Sequence, residues 1–309
     1  MKTLVLLVGV VLLVGCNSTV PGPVVDPAMI TLVPPDTTML IGVRVEDLVK
    51  TSIYQRYLAD RPIAPLDEFA KQIGVDPRKN VWELLYISNG KERALLGRGK
   101  FSNEAEPRLE IEAKGAKRTG YRGFSLVGDD EAAVMLMGPS MAGIGDTAAL
   151  KRIIDTRDKT NGPPAVLTER MKEIPKTAAL WTVYAGPPMT LPPDASANMG
   201  NLVKIVNSVE SGSFYLDVHA GVSGKGTGIA ASEADAKELQ GGMRGLLGIG
   251  RLVGAKDDVR LQRLFDGMRV TQEGKNVNLY IEEQEDAITT LLDFMLSGQG
   301  RNAIPAPKQ

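Results

Sequence analysis

The chain contains one histidine and one cysteine, so chemistry that needs an imidazole or a thiol depends on His219 or Cys16. A Ser-His-Asp triad would have to use His219 as its general base. The chain has no Gly-x-Ser-x-Gly motif, which carries the serine nucleophile in many hydrolases. His219 falls in a predicted strand, with Leu216 and Val218 nearby. We predict that it is a structural or surface histidine.

Ser88 and Lys91 have the Ser-x-x-Lys spacing found in penicillin-recognising enzymes. That chemistry needs the serine at the start of a helix, with the lysine one turn further on. Here the pair falls in a predicted hairpin turn, and the Ser-Asp-Asn and Lys-Thr-Gly motifs that accompany it in those enzymes are absent. We interpret the motif as a turn.

The segment from Gly221 to Gly228 is rich in glycine and contains Lys225, as a phosphate-binding loop would. The Walker pattern is not met, because glycine rather than serine or threonine follows the lysine. The segment also leads into a predicted strand, which offers no helix N-terminus to a phosphate group. We predict a flexible hairpin loop.

A metal site built from histidines is excluded by count, and the single cysteine rules out a site with several thiolates. The acidic segment Gly128-Asp129-Asp130-Glu131 lacks the alternating ligand spacing of a calcium loop, and we interpret it as a solvated turn. A calcium site made of carboxylates elsewhere is left open. The sequence therefore predicts no metal ligand, no cofactor and no catalytic residue.

Charge and composition exclude some classes of partner. Lys and Arg total 36 against 37 Asp and Glu, and the formal net charge is −1. A nucleic-acid partner would call for a basic face, so none is expected. Aromatic residues make up 5% of the chain, which disfavours a platform that stacks sugars or bases. The hydrophobic fraction of 43% is enough for a substantial core.

The N-terminus indicates where the protein is found. Lys2 precedes an aliphatic segment, residues 3–14, that is shorter than the roughly 20 residues a membrane-spanning helix needs and is typical of a secretory signal. The segment ends in Leu13-Val14-Gly15-Cys16, which resembles the lipobox of bacterial lipoproteins. The resemblance covers the first 16 residues. It implies that the signal is cut before Cys16, that the Cys16 sulfur carries a diacylglyceryl group and that the new amino terminus is acylated.

Two or more acyl chains give stable membrane anchoring. We therefore expect a lipid-anchored protein of the bacterial envelope that faces the periplasm. Asn17 follows the cysteine where an aspartate resembles an inner-membrane retention signal, and this favours the outer membrane. An ordinary signal peptide with a free Cys16 and an uncleaved membrane anchor are the alternatives. A lipidated Cys16 leaves no cysteine for a disulfide.

Hydrophobic periodicity predicts hairpins interrupted by helices. The predicted strands lie at 39–45, 82–87, 93–101, 121–127, 132–137, 141–145, 179–184, 213–222, 227–231, 268–272 and 277–283. The predicted helices lie at 45–58, 65–73, 104–117, 146–156, 167–174, 200–210, 232–252, 257–265 and 285–296. Residues 104–117 also alternate as a strand would; we favour a helix there because Gly115 and Gly120 follow.

The sequence predicts an α+β fold, with antiparallel sheets, helices packed on one face and two related units. The predicted ranges are a signal peptide at 1–15, a Pro-rich tether at 16–35, an α+β domain at 36–186, a linker at 187–199, a second α+β domain at 200–297 and a disordered tail at 298–309. The sequence of strands and helices, with Trp181 on a strand ahead of a Pro-rich break, resembles uncharacterised duplicated α+β lipoproteins of bacterial envelopes. That resemblance implies a fold and no chemistry.

We expect a non-enzymatic binding or scaffolding module that reaches the membrane through the lipid on Cys16 and contacts an envelope protein. The contact would use an exposed sheet face or the glycine-rich helix, where Leu246, Leu247 and Ile249 could form an apolar patch. The glycines of this helix predict a weak or broken helix, or close packing on a sheet. A carrier of an apolar ligand and a hydrolase that uses carboxylates are the alternatives.

Overall fold

The computed structural model describes residues 22–57, 59, 76–101, 116–157, 159, 162–186, 209–219, 221–249, 251, 265–283 and 289. Its strands are β1 Met39–Arg44, β2 Val81–Ser88, β3 Arg93–Gly99, β4 Lys117–Tyr121, β5 Phe124–Gly128, β6 Ala132–Leu136, β7 Met141–Asp146, β8 Leu180–Ala185, β9 Val209–Asp217, β10 Val222–Ala230, β11 Met268–Glu273 and β12 Asn276–Glu283. They form one sheet in the order β11-β12-β10-β9-β8-β1-β2-β3-β7-β6-β5-β4. Every neighbouring pair in it is antiparallel.

Helices cover parts of both faces of this sheet. They are α1 Pro27–Ile30, α2 Val45–Leu48, α3 Ser52–Tyr57, α4 Pro77–Asn80, α5 Thr147–Thr156, α6 Ala165–Met171 and α7 Glu233–Ile249. Within the described residues, no helix is long and apolar enough to cross a membrane.

The first core lies on one face of the sheet, against α1, α5 and α6. The central strands contribute Leu40, Leu85 and Trp181, each at most 1% exposed. Helix α5 buries a stripe of residues three and four apart, which is the spacing of one face of a helix. The stripe consists of Ala149, Leu150, Ile153 and Ile154, the residues that the sequence predicts to point inward.

The second core lies on the opposite face, against α7. Successive side chains of a strand point to opposite faces, so Trp181 of β8 contacts the first core while Tyr184 contacts the second. The buried members of the second core are Val209, Ala230, Ala236, Leu239, Val270 and Val277. Ser232 caps α7, because its Oγ accepts the N–H of Asp235 at 3.1 Å, as the sequence predicts.

The α+β class with antiparallel strands is confirmed. The placement of the helices is refined, because each core packs its helices on one face but the two cores use opposite faces of one sheet. Strand β8 of the predicted N-terminal domain pairs with β9 of the predicted C-terminal domain, from Leu180 opposite Leu216 to Ala185 opposite Ser211. The two predicted units therefore share a sheet, and their division at 187–199 stays a prediction.

Residues 22–35, which belong to the predicted tether at 16–35, are folded, and this corrects the prediction for them. Asp26 begins α1, and its carboxylate accepts the N–H of Ala28 at 2.7 Å. Met29 and Val33 are fully buried in the first core. The prolines of this segment set a turn and a helix start, since proline is favoured in the first turn of a helix. The folded body therefore begins before the predicted boundary at residue 36.

Several predicted elements are wrong in their bounds. The predicted strand at 121–127 is split by a tight turn at Arg122 and Gly123, whose φ values of 48° and 85° suit a two-residue hairpin. The predicted helix at 45–58 is divided into α2 and α3, and the predicted helix at 104–117 extends onto Lys117, which begins β4. The predicted strand at 213–222 is replaced by the end of β9, a turn and the start of β10.

Other predictions lie outside the described residues. They concern the signal peptide at 1–15, Cys16, the linker at 187–199, the tail at 298–309, and all or most of the helices predicted at 65–73, 104–117, 200–210, 257–265 and 285–296. Within the last part of 200–210, Val209 begins β9 and is not helical.

Candidate binding face

A broad apolar surface lies on the central strands, on the face opposite the first core. In β1 the side chains of Met39, Ile41 and Val43 point this way, because Leu40 between them enters the first core. In β2 the same alternation places Leu84 and Tyr86 beside them. All five are half-buried.

The surface extends over the neighbouring strands on both sides. Ile144 of β7 is 36% exposed and pairs with Leu95 of β3. We define the apolar sheet face by ten residues, Met39, Ile41, Val43, Leu84, Tyr86, Leu95, Ile144, Leu180, Phe214 and Leu216. Trp82, two residues before Leu84, is 41% exposed.

The helices of the two cores pack elsewhere. Helices α1, α5 and α6 lie on the opposite face, α7 packs on β10, β11 and β12, and the short helix α2 packs on β2. A strand that is apolar on both of its faces normally has a second layer of structure against each. The near-continuous apolar sequence of β1 and β2 carries this signal.

A polar cluster lies at one end of β1, β2 and β3, on the face of the first core. Glu83 of β2 is paired in register with Arg44 of β1 and Arg98 of β3. The two carboxyl oxygens of Glu83 accept the N–H of Asp26 at 3.2 and 3.3 Å. The carboxylate of Asp26 forms an ion pair with Arg98. The cluster thus fixes the N-terminal segment to the centre of the sheet.

Burial raises the pKa of Glu83 to about 7, while nearby Arg44 lowers it and Glu46 raises it further. Arg44 is also held by Asp47, with 2.8 Å between guanidinium and carboxylate.

A hydrolase using carboxylates would need a cavity with two facing carboxyl groups, one with a raised pKa. Glu83 lines neither of the two cavities described, which measure about 20 and about 230 Å³.

His219 lies in the turn between β9 and β10 rather than in a strand. It is exposed, and its ring Nδ1 is 2.8 Å from Oδ1 of Asp217. Asp217 also accepts the backbone N–H of His219 at 3.0 Å. The imidazole is therefore engaged in a local turn contact, in line with the predicted surface role.

Ser88 and Lys91 lie at the β2–β3 turn, as predicted. The Ser88 hydroxyl accepts the N–H of Gly90 at 3.1 Å, and Gly90 has a φ of 86°. The exposed Lys91 extends from the turn, and its backbone N–H is bound by the Asn89 side chain at 3.0 Å. Ser88 and Lys91 therefore lack the helical arrangement that the Ser-x-x-Lys chemistry needs.

The glycine-rich segment from Gly221 to Gly228 is not the flexible loop that the sequence predicts. Residues Val222 to Gly228 belong to β10, a strand paired on both sides with β9 and β12. The glycines allow close approach of neighbouring strands, since a Cβ at Gly224 would meet the backbone oxygen of Tyr215. Lys225 sits over the ring of Tyr280 at 5.7 Å.

The acidic segment at 128–131 is a turn, as predicted. Oδ1 of Asp129 accepts the N–H groups of Glu131 and Ala132, both at 2.8 Å. These two hydrogen bonds lower the pKa of Asp129. Among the described residues, no group of three or more His, Cys, Asp or Glu side chains could hold a metal ion.

The glycine-rich helix α7 is continuous from Glu233 to Ile249, so it is not broken. A Cβ at Gly241, Gly245 or Gly248 would meet nothing within 4 Å. Of the predicted patch, Leu246 is 47% exposed, while Leu247 packs against the second core.

Comparison with known proteins adds little beyond the fold. No protein-family model matches the chain, and no curated protein gives a significant match. Three crystal forms of TP0453, a Treponema lipoprotein, are similar, with TM-scores of 0.49, 0.48 and 0.47 and 11% identity each. The alignments cover 87% of this chain and 97%, 98% and 97% of that chain.

Proposed function

We propose that this chain is a lipid-anchored protein of the bacterial envelope, and that it acts as a non-enzymatic binding or scaffolding module. Its partner is an envelope protein that docks on the apolar sheet face. The observation that carries this proposal is the row of half-buried apolar side chains on β1 and β2, with Ile144 exposed beside them.

The composition of the face supports a protein partner. Aromatic side chains are enriched in the buried centres of protein interfaces and charged residues are depleted there. The apolar sheet face holds Tyr86 and Phe214 and no charged residue, and Trp82 lies next to it. The side chains of this face are partly exposed, and a contiguous apolar area that stays partly exposed is a candidate site for a protein partner.

The predicted anchor would hold the body near the membrane. The described body begins at Gly22, and residues 17–21 separate it from Cys16. Six intervals between Cα atoms reach at most about 20 Å. A lipidated Cys16 would therefore restrict the body to the layer next to the membrane, which raises its effective concentration towards a partner in the same membrane.

Crosslinking in intact cells followed by affinity capture tests the proposal. The native chain is compared with Ile144→Glu, which places a charge on the apolar sheet face, and with Cys16→Ala, which removes the predicted lipid. Val166→Glu is the matched control, because Val166 is 45% exposed on α6 at the other face.

We expect the native chain and Val166→Glu to capture the same discrete envelope protein. Ile144→Glu should lose it, and Cys16→Ala should lose it together with sedimentation in the membrane fraction. Equal capture by Ile144→Glu and the native chain, or no capture by either, would overturn the docking proposal. A Cys16→Ala protein that still sediments with membranes would overturn the lipid anchor.

A further inference from the structure

A cleft of about 230 Å³ lies between α5 and the edge strands β4, β5 and β6, on the face of the first core. Its walls carry Lys117 and Thr119 from β4, and Thr147 and Lys151 from α5. The core residues Leu126 and Ala133 form its floor. The cleft lies on the other side of the sheet from Ile144 and does not depend on the proposed partner docking.

The two lysines of this cleft have no neutralising partner in the described part of the chain. Neither ammonium group has a carboxylate oxygen within 4.0 Å, although many other described lysines and arginines form ion pairs. Asp155, also on α5, is bound by Arg122 at 2.6 Å and by the hydroxyl of Tyr121 at 2.9 Å. The ammonium of Lys151 lies 5.6 Å from the centre of the Tyr121 ring, which holds it beside β4.

The start of α5 adds positive potential to the same cleft. Asp146 occupies the N-cap position, but its side chain makes no capping hydrogen bond. Its Oδ2 instead accepts the N–H of Arg93 at 2.7 Å. The first turn of the helix, which begins at Thr147 in the cleft wall, therefore lacks its side-chain acceptor. The N–H of Thr147 donates to the carbonyl oxygen of Glu131 at 3.0 Å, so the remaining N–H groups of the first turn are the ones that would attract an anion.

Two aspartates also border the cleft, at the turn between β5 and β6. Asp129 is engaged by the N–H groups of its own turn. Asp130 is exposed and forms no ion pair with a described residue. The cleft thus combines two lysines without an ion-pair partner and a helix start with two carboxylates, of which Asp129 is bound by the N–H groups of its own turn.

We propose that this cleft binds a phosphate group carried by a small molecule or by a lipid head group. Lysines act as point charges towards phosphate, and a helix start supplies backbone donors. The Thr119 hydroxyl provides a further donor. The volume exceeds that of a single water molecule many times over and accommodates a phosphate with a few attached atoms.

Two binding assays of the full chain test the site at low ionic strength. Isothermal titration calorimetry uses inorganic phosphate and glycerol 3-phosphate as probes, and co-sedimentation measures binding to vesicles of phosphatidylglycerol in phosphatidylcholine. The variants are Lys117→Gln, Lys151→Gln and Asp130→Asn. Lys237→Gln, an exposed lysine on α7, makes the same change in net charge far from the cleft.

We expect Lys117→Gln and Lys151→Gln each to weaken binding by about tenfold, the loss typical of a charged hydrogen bond. Asp130→Asn should tighten it by about threefold, because a nearby negative charge is removed. Lys237→Gln should have no effect. Preference for glycerol 3-phosphate over phosphate would identify a soluble phosphorylated ligand, and lysine-dependent vesicle binding would identify a lipid head group.

No saturable binding of any probe, or binding that Lys117→Gln and Lys237→Gln weaken equally, would overturn the site. Circular dichroism of each variant confirms that the sheet is intact. Because none of these variants touches the apolar sheet face, failure of this site leaves the crosslinking result of the proposed function to be judged separately.

Discussion

Gly42 of β1 lies directly under the indole ring of Trp181 of β8, its antiparallel neighbour in register. A Cβ at Gly42 would overlap the ring atoms, so any side chain there displaces the largest fully buried residue of the first core. We expect Gly42→Ala to lower the free energy of unfolding by about 2 kcal/mol, the usual range for overpacking a core. Chemical denaturation followed by Trp fluorescence measures it.

The control is Gly120→Ala on the edge strand β4, where a Cβ would meet nothing within 4 Å. That change should alter stability by less than about 0.5 kcal/mol, as is usual for exposed sites. If Gly42→Ala were as mild as Gly120→Ala, the indole would not be fixed against β1.

Met29→Ala tests whether the N-terminal segment belongs to the body. Met29 is fully buried in the first core, although the sequence predicts a tether there. Removing a buried methionine side chain leaves a cavity and should cost about 3 kcal/mol. Val24→Ala, at a side chain that is 45% exposed, should cost less than about 0.5 kcal/mol. Equal denaturation midpoints for the two variants would instead support the predicted tether.

Gly241→Ala tests the reason for the glycines of α7. Gly241 is in the helix interior, and a Cβ there would meet nothing within 4 Å. Alanine should therefore raise the free energy of unfolding by about 0.5–1 kcal/mol, because glycine loses more backbone entropy in a helix. The thermal midpoint checks this. A lower midpoint would indicate that a close neighbour needs the glycine.

The parts of the fold that depend on local spacing were predictable. The inward stripe of α5 follows from helical periodicity, and the turn at Asn89 and Gly90 follows from residues that tolerate positive φ. Gly221, with a φ of 94°, is a turn signal of the same kind, and His219 lies just before it, outside the strand.

The order of the strands depends on contacts between residues far apart in sequence, and local patterns do not encode it. Strand β1 lies between β2 and β8 in the sheet, although β8 begins at Leu180 and β1 ends at Arg44. The face that each helix covers therefore depends on a strand register that local sequence patterns do not show. The same holds for the cleft, where Lys117 and Lys151 are brought together only by the packing of α5 on the sheet.

The stability of the protein should depend on the protonation of Glu83. Burial raises its pKa in the folded chain to about 7, above the ordinary value of 4.5. Between these two pH values the folded chain holds a proton that the unfolded chain has released. The stabilisation is therefore complete below about pH 4.5 and is lost as the pH rises through about 7.

Glu83→Gln removes this titration and keeps an acceptor for the N–H of Asp26. We expect Glu83→Gln to be about 1 kcal/mol more stable than the native chain at pH 8 and similar to it near pH 4.5, because solvent reaches part of the carboxyl and screens it. Urea denaturation across this range measures the difference. Glu210→Gln, an exposed glutamate on β9, is the matched control and should follow the native profile. If Glu83→Gln is instead less stable at pH 8, the charged carboxylate is stabilised by Arg44 and the Asp26 N–H, and the sign of the prediction is wrong.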